Sequence, residues 1–227
     1  MQLVYFGSGV FGLPTLERLA RDHQVRLVVS QPDRPAGRSR HPVPTPISSF
    51  ATSAGLPVLR PERMDAPGVV EAIRAVDADA FVVIAYGHKL PAALLDDRFA
   101  INLHASLLPK YRGAAPINWA MINGESETGV SVITLAERMD AGLVLARRRL
   151  AIDARETAGE LHDRLAELGP EIVQEVLSAQ QTGTLRGVAQ DPAEVSWAPR
   201  LKKADGTVDF DRPAVAVRQR IHGLTPW

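Results

Sequence analysis

Leu3-Val4-Tyr5-Phe6-Gly7-Ser8-Gly9-Val10-Phe11-Gly12-Leu13 is the stretch that decides the fold. Four consecutive apolar or aromatic residues run into a glycine-punctuated turn, and a helix-like pattern follows from Leu13 to Arg21. A second apolar run, Val25 to Val29, comes next, and Phe81-Val82-Val83-Ile84 has the same texture further on. Short apolar runs alternating with helical stretches are the signature of βαβ units. Runs without a polar face suit strands of a parallel sheet covered by helices on each side. The predicted fold class is therefore α/β, a doubly wound, mostly parallel sheet with helices on both faces, Rossmann-like in outline. Ligands of such sheets bind beyond the carboxyl ends of the strands, which makes the residues after each run the ones to inspect.

Gly7, Gly9 and Gly12 match the dinucleotide fingerprint in form. The full fingerprint also needs an acidic residue at the end of the second strand. Here that strand ends Val29-Ser30-Gln31-Pro32, and Asp33 is displaced into a proline-rich segment. A tight strand-to-helix turn that requires glycine accounts for the pattern more simply. A nicotinamide-binding oxidoreductase is kept as an alternative function on this turn alone.

The chain of 227 residues is 45% hydrophobic and 23% charged, which points to one folded, globular domain with at most an appendage. Cysteine is absent, which excludes disulfides, a thiolate nucleophile and a cysteine-held metal, and fits a cytoplasmic protein. No basic n-region opens the chain and no run of about 18 apolar residues occurs, so neither a secretory leader nor a membrane span is expected. With 26 Lys+Arg against 26 Asp+Glu, any contact with a nucleic acid must come from a local patch. Gln31 to Pro46 offers one: it holds five prolines and three arginines and reads as a long, exposed, basic loop.

Asn102-Leu103-His104 closes another strand-like run that begins at Ile101. Residues two apart on a strand share a face, so an amide donor and an imidazole project together over the sheet's carboxyl edge. A carbonyl held between them would have its developing negative charge stabilised, as in an oxyanion hole. Asp140, in Met139-Asp140-Ala141-Gly142, follows the strand-like run Gly129 to Leu135 and can reach the same edge. A carboxylate there would favour a charged imidazole and could move a proton. A capping Asn, a core histidine and an ordinary Asp turn are the plain alternatives for these three residues.

A helix is predicted from about Ala114 to Ile122. Thr157-Ala158-Gly159-Glu160 is a capping box ahead of the stripe Leu161, Leu165, Leu168, Ile172 and Val176, and Gly169-Pro170 should kink or split that helix. From about Gly187 the texture changes to that of a linker, with a further helix predicted from Arg212 to His222.

Asn102-Leu103-His104-Ala105-Ser106-Leu107-Leu108-Pro109-Lys110-Tyr111-Arg112-Gly113 resembles the signature of the folate-dependent formyltransferases, and Met139 to Gly142 supplies the family's downstream Met-Asp-x-Gly turn. The resemblance implies that Asn102, His104 and Asp140 are catalytic. It implies that Ser106, Leu107, Leu108 and Pro109 help to bind 10-formyltetrahydrofolate, with Tyr86 and Leu90 walling the pteridine pocket and no metal involved. Gln31 to Arg38, Ala85-Tyr86-Gly87 and Arg112 to Ile117 are similar to the family members that formylate initiator methionyl-tRNA. By that likeness Arg34, Arg38 and Arg40 would meet phosphates of the acceptor end. The family also implies a catalytic domain at residues 1–186, with 187–227 a linker and the start of a C-terminal domain that is mostly lacking. A monomer is expected. The alternatives within and beyond the family are transfer to a sugar nucleotide or to glycinamide ribonucleotide, and a non-catalytic folate- or RNA-binding module.

Overall fold

The protein is described by a computed structural model that covers residues 1–36 and 41–227. The chain divides into two compact units, Met1–Leu103 and His104–Trp227.

The first unit is built on parallel strands. β1 (Gln2–Gly7), β2 (Gln24–Val29), β5 (Val58–Leu59), β6 (Ala80–Ile84) and β7 (Ala100–His104, its last residue opening the second unit) stand in the order β5-β2-β1-β6-β7. Phe6 is level with Val29 on one side and with Val83 on the other, and Val82 is level with Ile101. All five residues of β6 are buried, as a strand packed on both faces requires. α1 (Leu13–Asp22) turns Thr15, Leu16 and Leu19 inward, and α2 (Pro46–Ser53), α3 (Val69–Arg74) and α4 (Ala92–Leu95) complete the connections. Thr45 caps α2 by accepting a hydrogen bond from the Ser48 amide at 3.0 Å.

The turn between β1 and α1 is filled by the protein itself. Tyr5 is fully buried and its hydroxyl donates to the Gly12 carbonyl at 2.9 Å. A Cβ on Gly12 would fall 2.1 Å from that hydroxyl, and one on Gly7 would fall 2.5 Å from the Tyr5 ring. These glycines therefore make room for a core side chain.

The stretch from Gln31 to Pro46, expected as a loop, contains a short antiparallel ribbon of β3 (Arg34–Ala36) and β4 (His41–Val43). Pro35 and Pro42 face each other in its middle. A residue without an N–H can occupy only a non-hydrogen-bonded pair, and there proline does not break the ladder. Arg38 and Arg40 lie outside the described residues.

The second unit pairs β8 (Glu127–Thr134) with β9 (Val144–Ala151) antiparallel, Gly129 level with Arg149 and Val132 with Ala146. α7 (Gly169–Gln181) packs on both strands, while α5 (Pro116–Ile122) packs on α6 (Ala158–Ala166) and α8 (Ala214–Leu224). The predicted capping box is present: the Thr157 amide donates to Glu160 Oε2 at 2.7 Å and the Glu160 amide to Thr157 Oγ1 at 3.4 Å. The Thr157 amide proton holds the Glu160 carboxyl below its ordinary range. Gly169-Pro170 splits the helical stripe as expected, and α8 starts two residues later than predicted because Pro213 stands before its first turn. The segment after α7 is tied back at three points: Val188 bridges Val144, and Ser196 and Ala198 bond the backbone of Tyr111 to Ala115. The fold class is the one the sequence implied. Among the described residues no helix is long and apolar enough to cross a membrane.

Candidate active site

β7 delivers two of the predicted residues. Asn102 is half-buried near its end, and His104, two positions on along the same strand, is buried. The His104 ring is then oriented by later residues of its own unit. Its Nε2 lies 2.9 Å from the Tyr111 carbonyl oxygen, and since that oxygen can only accept, Nε2 carries the proton. Nδ1 faces the Asp140 Oδ2 at 3.6 Å, with side-chain exposures of 7% and 13%. At that depth solvent screens the pair weakly. Thus His104 and Asp140 are brought together, 36 positions apart in sequence.

Two loops create this pairing. The first, 105–113, is pinned by Ser131 of β8, whose hydroxyl donates to the Ser106 carbonyl (2.7 Å) and accepts from the Leu108 amide (3.1 Å). Ser106 Oγ donates to the Lys110 carbonyl at 2.6 Å, and Leu108 is buried in a small cluster with Ile133 and Val144. Tyr111 has φ +61°, a left-handed conformation uncommon for a bulky residue, and its carbonyl is the one that meets His104. Its amide donates to Ser196 Oγ and its hydroxyl to Glu125, while burial pushes the phenol up to about 12. The second loop, 135–143, joins β8 to β9. In it Asp140 has φ +52°, and its Oδ2 accepts the Gly113 amide at 2.9 Å. Non-glycine residues in this region cost of order 1–3 kcal/mol, and two of them beside the His104–Asp140 contact are the local strain that functional sites concentrate.

Gly142 and Gly113 permit the two loops to close. A Cβ on Gly142 would sit 1.7 Å from the Thr134 carbonyl, and one on Gly113, at φ +123°, 2.5 Å from the Ala198 carbonyl. Both partners are backbone, which cannot swing aside.

The remaining predicted residues divide between the two units. Tyr86 is buried, its ring edge-on to Phe6 at 5.8 Å and its hydroxyl donating to Met64 Sδ at 2.8 Å; burial pushes its phenol up to about 12. Leu90 is buried in the same unit. Arg34 is exposed and reaches Glu62 at 3.1 Å.

Two groups of residues escaped sequence reasoning. In the first unit Ser8, Ser30, Gln31 and Thr45 gather at the carboxyl ends of β1 and β2. Ser8 Oγ accepts the Gln31 amide at 3.1 Å, Ser30 and Thr45 hydroxyls are 2.6 Å apart, and Gln31 Nε2 donates to the Tyr86 carbonyl at 2.7 Å. In the second unit Gln190 bonds both loops of the site. Nothing local marks either group. The sheet-edge rule points to the first, and only contacts distant in sequence reveal Gln190.

Two hollows open on the second unit away from these residues. One of about 380 Å³ lies along α8 between Phe210 and His222, and one of about 720 Å³ lies beside Asp153, Glu156 and Arg164. Among the described residues no group of His, Asp or Glu is placed to hold a metal ion.

Residues 1–177 match the family described as formyl transferase. The whole chain is 44% identical to a methionyl-tRNA formyltransferase of Geobacter metallireducens, covering 74% of it, and 46% identical to that of Heliobacterium modesticaldum, covering 72%. Its fold is similar to that of the N-formyltransferase from Helicobacter canadensis, solved in complex with folinic acid and dTDP-3-aminofucose. The TM-score is 0.79 at 17% identity, over 97% of this chain and 79% of that one.

Proposed function

The chain belongs to the formyl transferase family, and from that premise we propose that it transfers a formyl group from 10-formyltetrahydrofolate to the amino group of methionine on initiator tRNA. The observation that carries this reading is the 44–46% identity to two methionyl-tRNA formyltransferases along the whole chain. The Asn102 to Gly113 signature lies within that span and supplies the end of β7 and the first of the loops around the His104–Asp140 pair.

In this reading the neutral amine attacks the formyl carbon, negative charge develops on the formyl oxygen, and N10 of the folate leaves. The Asn102 amide would donate to that oxygen, a contribution of about 3 to 4 kcal/mol in comparable sites. Both ring nitrogens of His104 already face protein acceptors, so a protonated ring would act through its field more than through a direct hydrogen bond. Asp140, facing the ring, would assist the proton's passage from the amine to the departing nitrogen. Holding two substrates in one cleft would supply much of the remaining acceleration.

Ser106 to Pro109, on a loop pinned from β8, would contribute to the folate site, with Tyr86 and Leu90 behind the pteridine. Arg34 would exchange Glu62, a weak surface partner, for a tRNA phosphate, with Arg38 and Arg40 alongside. Residues 1–186 would form the catalytic domain, and 187–227 the linker and beginning of a C-terminal domain, in a cytoplasmic monomer.

The test is formyl transfer by this chain to charged initiator tRNA, with elongator methionyl-tRNA and an amino-sugar nucleotide as competing acceptors. Selective transfer to initiator tRNA supports the reading. Transfer to the sugar nucleotide alone would replace the acceptor while leaving the family intact.

A further inference from the structure

We propose that Gln190 is a positioning residue for the reaction centred on His104 and Asp140, an inference that rests on the function proposed above. Gln190 lies in the irregular stretch between α7 and α8, and its carboxamide makes four hydrogen bonds. Its Oε1 accepts from Arg112 Nε at 3.0 Å and Nη2 at 2.7 Å. Its Nε2 donates to the carbonyls of Asp140 and Gly142, both at 2.8 Å. The orientation of the amide is fixed by chemistry: a guanidinium has only donors and a carbonyl only accepts, so a flipped amide would oppose like groups at all four contacts.

These bonds close a ring. Arg112 precedes Gly113, whose amide donates to Asp140 Oδ2, and Gln190 joins the Arg112 side chain to the Asp140 carbonyl. The carboxylate is thereby held from both ends, by Gly113 at its oxygen and by Gln190 at its backbone, while the residue stays in its left-handed conformation. What the ring fixes is the 3.6 Å separation of Oδ2 from His104 Nδ1, the distance on which the electrostatics of the pair depends. Gln190 touches no reacting atom in this account and works through Asp140.

The variants Gln190→Glu and Gln190→Met separate the two arms. Glutamate keeps an acceptor for Arg112 but turns an anionic oxygen toward two carbonyls; methionine removes both arms without adding charge. Each should lower kcat about 10- to 30-fold and change KM for the formyl donor less than about twofold. In an Asp140→Asn background the same changes should cost less than about twofold, because the group they position is already disabled. In a readout that needs no acceptor, hydrogen exchange at the Gly113 amide should quicken about tenfold while amides within β8 stay unchanged. Losses that multiply in the Asp140→Asn background, or unaltered exchange at Gly113, would overturn the proposal. If the unmodified protein transfers no formyl group to methionyl-tRNA, the functional reading fails, and Gly113 exchange alone decides whether Gln190 holds the loops.

Discussion

The turn after β1 and the loops after β7 and β8 close on glycines that leave no room for a side chain, but different groups crowd them. At Gly7 and Gly12 the nearest neighbour is Tyr5, a fully buried core residue of the same strand, with the Ile84 carbonyl second at Gly7. At Gly142 the neighbour is the Thr134 carbonyl, and at Gly113 the Ala198 carbonyl, on loops that hold a buried carboxylate against an imidazole. A glycine pattern reports close approach; the approaching group tells packing from chemistry. The first turn looks like a cofactor fingerprint and serves the core, while the second pair of glycines closes the two family motifs and shapes the candidate site.

Three substitutions sharpen that contrast. Gly142→Ala pushes a methyl into backbone, displaces the Asp140 turn and should lower formyl transfer by about 10²-fold in kcat, the cost of an ångström of misplacement. Stopped-flow or quench kinetics on folded protein would read it; near-normal turnover would show that the turn tolerates movement. Gly12→Ala meets the Tyr5 hydroxyl instead and should cost about 2 kcal/mol of stability, read from a denaturant midpoint, with far less effect on kcat per folded molecule. A large kcat defect at unchanged stability would mean that the first turn belongs to the site after all.

Tyr5→Phe is the mildest of the three and should cost about 1 kcal/mol at neutral pH through the lost bond to the Gly12 carbonyl. Burial raises the Tyr5 phenol far above its ordinary range, so the folded state keeps its proton where the unfolded chain releases it near pH ~10. That contribution to stability is complete below about pH 10 and declines as the pH rises further. Tyr5→Phe should therefore show a shallower alkaline loss of stability than the parent protein, measured by urea unfolding at about pH 9 and about pH 11.

Much of this was legible from local pattern. The runs at Leu3 to Phe6 and Phe81 to Ile84 became buried parallel strands because continuous apolar segments have no solvent face to offer. The capping box at Thr157 needed only four adjacent residues. β9 was not legible, since Arg147, Arg148 and Arg149 interrupt its alternation, and two of these charges are supported by partners elsewhere, Arg148 by Glu175 and Arg149 by Glu127. The β3–β4 ribbon was hidden by prolines that fit only because they face each other. The resemblance named His104 and Asp140, and their pairing was accessible on that basis. The groups that make the pairing possible, Ser131, Ser196 and Gln190, carry no signal, because their partners lie 25, 85 and 78 positions away.

The most direct test of the central claim is the single-turnover rate of formyl transfer to initiator methionyl-tRNA for His104→Ala and Asp140→Asn against the parent protein. The account predicts that each falls at least about 100-fold, with 10-formyltetrahydrofolate binding largely preserved. A loss of less than about tenfold in both variants, with turnover otherwise intact, would contradict it and move the chemistry to other residues.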